Sequence, residues 1–471
     1  MNTDRYYLDL FKVTHAQLET ITATALSHGG DYADLYFEHT TFFNLLLKDG
    51  VVSSGGFHTD YGVGIRVLKG EKTGYAYSEN TEMPDMMKAA QAASAIALGS
   101  SGNRIYSKVE DKMHDLYPME RNWRDYGADA FVPFIQELEK EIFSRDSRIV
   151  KVVIRLSDSV TDVMMYNSLG ELTCDTRPVG SVSVSAVFVH DGKTESRNAA
   201  RSFRMGAELI GPELMKELAD EVVRDIDARF EACRPKGGQM SVVMGAGASG
   251  ILLHEAMGHA FEADFNRKGQ SIFSDKMGQQ VCPKGVNVVD DGTVAFNRGS
   301  GNYDDEGVAA EKTYMVKDGI LTSYLHDRIS ASWYGVRPTG NGRRENFRYN
   351  PIPRMRATYM ESGDADPQSM ISDVHQGIYV DEFSNGQVKI GEGDFTFFVK
   401  SGYLIEDGHL TMPVKDINII GNGPQALADI LAVGNDLKID NGTWTCGKEQ
   451  SVAVSCGMPT VLIRNLTVGG E

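Results

Sequence analysis

Arg234-Pro235-Lys236-Gly237-Gly238 stands at the middle of the chain, directly after its clearest amphipathic helix, and no helix continues through it. That helix, 212–230, opens on Pro212 and carries Leu214, Leu218, Val222 and Ile226 at a spacing of four, an apolar stripe that must be buried. The break divides the 471 residues into 1–232 and 233–471, each of a size one large core can serve. The two parts differ in pattern. Before the break, helical periodicity at 15–28, 84–98 and 131–143 alternates with strand-like runs at 35–39, 42–48, 51–54, 62–68, 150–156 and 180–189. Asp49-Gly50 and Asp191-Gly192 supply hairpin turns, and Ser and Val alternate with period two over 180–189, as in a half-buried antiparallel sheet. After the break, Asp291-Gly292, Asp318-Gly319, Asn385-Gly386, Asp407-Gly408 and Asn441-Gly442 punctuate short β runs, with one late helix at 426–433. The expectation is an α+β protein of two domains: an N-terminal α/β domain (1–232) with an antiparallel sheet and flanking helices, and a C-terminal β-rich domain (233–471), barrel- or sandwich-like.

Composition narrows the function classes. An apolar fraction of 41%, with 49 Gly in addition, is enough for a sizeable core. The net charge of -18 repels phosphate backbones and anionic lipid, so neither nucleic acid nor a membrane surface is an expected partner. No window approaches the ~18 apolar residues of a bilayer span, and residues 1–15 lack the basic and apolar regions of a signal peptide. Five scattered cysteines, an odd number, fit reduced thiols. A cytoplasmic location is expected.

The informative stretch is 240–265, MSVVMGAGASGILLHEAMGHAFEADF, which reads as strand, Gly-rich turn and helix. Gly245, Gly247 and Gly250 satisfy GxGxxG, but one residue in ten here is Gly and the chain lacks an alternating βα pattern, so a tight turn seating the helix is the better reading. His254-Glu255-Ala256-Met257-Gly258-His259, HExxxH, is far more specific: this composition yields about 0.03 such His-acid-xxx-His arrangements by chance. Zinc takes neutral imidazoles held in fixed directions, and a carboxylate beside one of them can take a proton from water on the metal. The spacing conflicts with a regular helix. A residue at i+5 is turned ~140° from i, whereas i+4 is turned only ~40°. An i to i+5 bulge or early break around 257–259, made cheap by Gly258, returns both imidazoles to one side, and such bulges favour functional sites.

A third ligand is required, and spacing leaves Glu262, Asp264, His326, Cys282, Cys446 and Cys456 as candidates. Cys446 lies in a turn-like Asn-Gly-Thr-Trp-Thr-Cys-Gly-Lys context, where Lys448 would favour its thiolate. Two charged clusters, Asp304-Asp305-Glu306 and Arg343-Arg344-Glu345, read first as solvated loops or surface ion pairs.

At these residues the chain resembles the TldD/PmbA family of metalloproteases, in particular its TldD-like members that keep the metal motif. The resemblance covers LLHEAMGHAFEADFNRKGQSIFS (252–274), VVDDGT (288–293), DDEG (304–307), RPTGNGRRE (337–345), GIYV (377–380), PVKD and IGNGP within 413–424, GND (434–436), TCGK (445–448) and LTVGG (466–470). It is less sharp before the break, where 62–68 carries it. It implies a zinc-dependent peptidase of unfolded or unstructured peptides, with His254, His259 and Cys446 as ligands and Glu255 as general base. Cys456 is the substitute if the loop after Cys446 shifts register. It also implies that the β-rich domain carries the metal-site helix, and that the protein forms a homodimer or a heterodimer with a PmbA-like paralogue. The alternative function is a non-enzymatic regulator or chaperone-like partner, since the family was once labelled a modulator of DNA gyrase.

Overall fold

A computed structural model describes residues 3–100, 103–109 and 114–470. Its N-terminal part is a six-stranded antiparallel sheet in the order β3-β2-β1-β4-β5-β6, formed by β1 (Tyr32–Lys48), β2 (Val51–Lys69), β3 (Lys72–Ser78), β4 (Ile149–Asn167), β5 (Leu172–His190) and β6 (Lys193–Phe203). The strands are longer than the sequence suggests. The runs at 35–39 and 42–48 are one strand, as are 51–54 and 62–68, because the polar and Gly-rich residues between them pair across the sheet almost without a break. Asp49-Gly50 and Asp191-Gly192 both take positive φ and close the expected hairpins, as do Asp318-Gly319 and Asp407-Gly408. Asn385-Gly386 makes no turn and lies inside the strand Gln376–Val388.

Period two assigns the two faces of this sheet. Val182, Val184, Ala186 and Phe188 of β5 and Val152, Ile154 and Leu156 of β4 pack against α4 (Ala128–Arg145) and α5 (Pro212–Val223) in one core. A second core under α1 (Asp4–Phe11), α2 (His15–Ala25) and α3 (Met83–Ser94) takes the other end of the same face. The expected helix at 212–230 is two helices: Asp225 adopts a left-handed backbone and turns the chain from α5 into α6 (Ile226–Glu231). The stripe looked continuous because Ile226 is buried in the same core as Leu218 and Val222.

From Gly238 the chain enters β7 (Gly238–Met244), the first strand of a closed barrel. β7 pairs with Gln376–Val388 and Val461–Gly469; Ile417–Asn422 and Asp394–Glu406 complete a circuit of five strands. A further six-stranded sheet includes Val288–Asp291, Ala357–Met360 and Ser455–Met458, and one large core joins it to the barrel. The expected helix at 426–433 is half right. Gly423–Ala428 is helical, but Ile430–Val433 is a strand on Val461–Ile463, where barrel pairing overrides the local helical pattern. No helix among the described residues is long and apolar enough to cross a membrane.

The polar face of the N-terminal sheet docks on the C-terminal part. Gly62 and Gly64 leave room there for Phe347: a Cβ on Gly62 would strike its ring, and one on Gly64 the Tyr75 hydroxyl and the Phe347 carbonyl. Of the charged clusters expected at the surface, Glu345 is exposed and the other five residues are buried in this contact. Arg66 pairs with Asp34 and with Glu306 at 2.7 Å, and Arg177 bridges Asp175 at 3.0 Å and Asp305 at 2.5 Å. Asp305 also accepts a hydrogen bond from the Arg344 backbone at 2.8 Å. Asp304, Asp305, Glu306, Arg343 and Arg344 are all buried. Glu306, Asp305 and Arg344 find their charge partners, Arg66, Arg177 and Asp34, far away in sequence, which charge counting along the chain cannot show.

Candidate metal centre

The Gly-rich turn after β7 works through backbone proximity. The Gly245 N–H donates to the Val380 carbonyl at 2.8 Å, Gly247 has φ of +99°, and a Cβ on Gly250 would lie 2.4 Å from the Gly457 backbone. Only glycine lets the following helix sit this close to Ser455–Met458, as the tight-turn reading expects.

The helix starts as α over Ile251–Leu253, widens to a π-turn over His254–Gly258 and tightens to a 3₁₀ turn over His259–Phe261. The wide turn is the bulge that the i to i+5 spacing demands. It brings the two imidazoles onto one side, with ring centroids 5.1 Å apart and planes near perpendicular. Leu252, Leu253, Ala256 and Met257 anchor the other side in the barrel core. Gly258 is needed for packing as well as for the bulge, since a Cβ there would lie 1.9 Å from Sδ of the buried Met355. Gly258→Ala is therefore expected to cost about 1–3 kcal/mol through overpacking and to lower metal occupancy by displacing His259. Thermal unfolding and metal content check this; an unchanged midpoint with full occupancy would show that Met355 moves aside freely.

The third donor comes from far along the chain. Thr445–Lys448 and Gln450–Ala453 form a hairpin whose turn is Glu449, in a left-handed backbone with φ of 57°. The hairpin places the buried Cys446 against the histidines, with Sγ 3.2 Å from His259 Nε2. One ligand atom each from His254, His259 and Cys446 lies within 4.8 Å of the other two. Arg354 holds this arm, its two terminal nitrogens donating to the Cys446 carbonyl at 2.7 Å and the Gln450 carbonyl at 2.8 Å.

The surrounding charges prepare the donors. Burial pushes the Cys446 thiol up, but hydrogen bonds from His254 and His259 outweigh it and bring the thiol down to about 5. Burial would lower His259; Glu262 and Cys446 outweigh it and hold the imidazole up at about 10. Glu262, fully buried, would be raised by desolvation, yet Lys448 and His259 keep it down at about 2. Its Oε2 lies 3.0 Å from His259 Nδ1 and 3.0 Å from Lys448 Nζ, so a carboxylate fixes the outer nitrogen of one donor histidine. His254 Nδ1 is buried with no hydrogen-bond partner. Two imidazoles and a thiolate, poised to exchange protons for a cation, fit a borderline-soft divalent metal.

Glu255 is half-buried beside the donors. Burial raises its carboxyl above the usual range, offset in part by His254 and His259. The other candidate ligands stand elsewhere. Glu262 supports His259, and Asp264 accepts a hydrogen bond from Lys448 at 2.8 Å. Cys282 is in the core, and His326, pushed down to about 4 by burial, packs with Tyr324 and Tyr334. Cys456 lies on Ser455–Met458, with Thr358 opposite it. The expected role of Lys448 is corrected: its ammonium engages Glu262 and Asp264, and the histidines are what favour the Cys446 thiolate. Sequence reasoning missed Arg354 altogether, a lone arginine in a segment without a motif.

The chain is similar to known proteins along most of its length. Residues 237–470 match a family model described as the PmbA/TldA metallopeptidase C-terminal domain, residues 33–97 its domain 1 and residues 121–230 its central domain. A Haemophilus influenzae protein named as a metalloprotease TldD homolog is 38% identical over 448 residues, 93% of each chain. A Saccharolobus solfataricus protein named as a zinc metalloprotease TldD homolog is 25% identical, covering 94% of this chain and 97% of its own. A solved Thermotoga maritima structure, described as a modulator of a DNA gyrase, superposes with a TM-score of 0.78 at 23% identity over 97% of this chain and all of its own, which shows the shared fold.

Proposed function

The chain belongs to the PmbA/TldD metallopeptidase family, and from that premise we propose that it is a zinc-dependent peptidase of unfolded or unstructured peptides, with His254, His259 and Cys446 as metal ligands and Glu255 as general base. The observation that carries the reading is the convergence of one imidazole, a second imidazole five residues on and a thiolate 187 residues further away within 4.8 Å, next to an unpaired carboxylate. The relative named as a zinc enzyme supports the choice of metal. A zinc ion in such a site supplies a Lewis acid that polarises a carbonyl and acidifies water.

The protein's own residues do the rest. Glu255 takes the proton of the attacking water on its carboxylate and returns it to the leaving amine, a task suited by burial that raises its proton affinity. Glu262 fixes the His259 ring through Nδ1, and Lys448 keeps Glu262 ionised. Arg354 holds the Cys446 hairpin by its carbonyls, so the thiolate cannot swing away. The proposed assembly is a dimer, with itself or with a PmbA-like paralogue, supported by the exposed apolar residues Val51, Val52 and Phe57 of β2. Its enclosure would admit extended chains and exclude folded ones.

The test is elemental mass spectrometry on the purified protein with hydrolysis of an unfolded casein-like substrate scored in parallel. Near-stoichiometric zinc, with activity lost on chelation and restored by zinc, is expected. Protein that stays inactive after zinc is added would sink the peptidase reading in favour of a regulator.

A further inference from the structure

A cavity of about 620 Å³ lies between the polar face of the N-terminal sheet and the C-terminal loops. Its volume falls within the ~300–1,000 Å³ of small-ligand sites and far exceeds what one inorganic anion fills. Alternate residues of β4, Ser157, Ser159 and Thr161, contribute hydroxyls to one wall. The cavity is also lined by Arg204, Arg298, Arg343 and Arg356.

These four arginines differ from their neighbours. Arg177 and Arg344, which line the same cavity, reach the carboxylates of Asp175, Asp305 and Asp34. The four do not: among the described residues no carboxylate lies within ion-pair distance of them. Arg204 donates to the Ser300 carbonyl, Arg298 to the Trp444 carbonyl at 3.1 Å and the Ser202 hydroxyl at 2.7 Å, and Arg356 to the Gly340 carbonyl at 2.7 Å. Arg343 donates to the carbonyls of Met355 at 2.5 Å and Ala453 at 2.8 Å. Arg204, Arg343 and Arg356 are 8%, 6% and 3% exposed. Burial first and repulsion among the guanidiniums second push Arg298 down to about 10 and also lower Arg343, against the pull of Asp305. Arginine does not escape this by losing its proton. Buried charge without a direct counter-ion is costly, even where carbonyls accept its hydrogen bonds. Carboxylates do line the cavity, Glu38, Asp60, Asp158, Asp305 and Glu345, and Asp304 and Asp305 act on Arg356 at longer range, but none pairs directly with these four guanidiniums.

The cavity adjoins the metal centre through one hairpin. Val452, in its wall, stands opposite Cys446 in the hairpin register, and Arg298 holds the Trp444 carbonyl two residues before Cys446. We propose that this cavity is a carboxylate-binding subsite that anchors the C-terminal end of a peptide beside the metal centre, with Arg204, Arg298, Arg343 and Arg356 as its anion-binding groups. Guanidinium forks match a planar carboxylate, and the hydroxyl wall offers partners to the peptide main chain. That the anchored peptide is substrate or product rests on the peptidase reading; the binding itself does not.

The test is calorimetric titration of full-length Glu255→Gln protein, zinc-loaded, with tetra-alanine and with tetra-alanine amide. The free acid is expected to bind on the order of tenfold tighter than the amide. That preference should persist after zinc is chelated and disappear when Arg204→Gln or Arg298→Gln is added. Equal affinities in the zinc-loaded protein would overturn the proposal without any arginine variant having to fold. So would a preference that vanishes on chelation and survives both arginine substitutions, because the carboxylate would then sit on the metal. Inorganic phosphate binding with no distinction between acid and amide would make the cavity an inorganic-anion site and equally overturn it. Failure of the peptidase reading would show separately, as zinc-loaded wild type that cleaves nothing.

Discussion

Glu255→Gln is expected to lower hydrolysis of an unfolded casein-like substrate by about 10²–10⁴-fold while zinc content stays near that of the wild type. The expectation follows from what Glu255 touches. Its carboxylate is half-buried beside the donor cluster, yet no hydrogen bond or ion pair ties it to another described residue, unlike Glu262, which is held by His259 and Lys448. A carboxylate left free next to three converging donors is placed to carry a proton and not to hold the fold. Gln preserves its size and removes its basicity, so the thermal midpoint should not move. Rate and zinc measured on one preparation separate the outcomes. Full activity would remove Glu255 from the reaction, and loss of zinc along with activity would make it a fourth ligand.

How much of this site the sequence discloses depends on chain distance. His254, Glu255 and His259 lie within six residues, so their spacing alone excludes a regular helix and leaves a bulge or an early break, of which the structure contains the bulge, at His254–Gly258. Gly258 could be linked to that bulge, but its contact with Met355 comes from a segment about 100 residues away and has no local signal. Cys446 is 187 residues from His259, and its context distinguishes it little from Cys456; only resemblance to a family singled it out before the hairpin was seen. The burial of 304–306 and of Arg343 and Arg344 is hidden in the sequence for the same reason, whereas Glu345 is exposed as its composition suggests. A cluster of like charges signals a solvated loop unless its partners are known, and those partners, Arg66, Arg177 and Asp34, sit on the N-terminal sheet. Fold class was legible because periodicity and turns are local: Asp49-Gly50 and the Ser-Val alternation of β5 suffice to define antiparallel strands. Element ends were less so, since Ile430–Val433 becomes a strand only because Val461–Ile463 offers it a ladder.

Cys446→Ala is expected to remove zinc and hydrolysis together, whereas Cys456→Ala should leave both in place. Both cysteines are buried, so accessibility does not separate them; their neighbours do. Cys446 is brought down to about 5 by the two histidines against the pull of burial, while burial, with Asp440 and Glu255 nearby, pushes Cys456 well above the usual thiol range. A thiolate is a zinc ligand and a protonated core thiol is not. Glu262→Gln supplies the scale. Loss of a carboxylate that only orients a ligand costs about 10–100-fold in metal affinity, so loss of the thiolate itself should exceed that range. The order Cys446→Ala, then Glu262→Gln, then Cys456→Ala in zinc dissociation constant, from weakest binding to wild-type binding, is the expected result of competition with a chromogenic chelator. Weaker zinc binding by Cys456→Ala than by Cys446→Ala would overturn the assignment of Cys446 as the thiolate ligand.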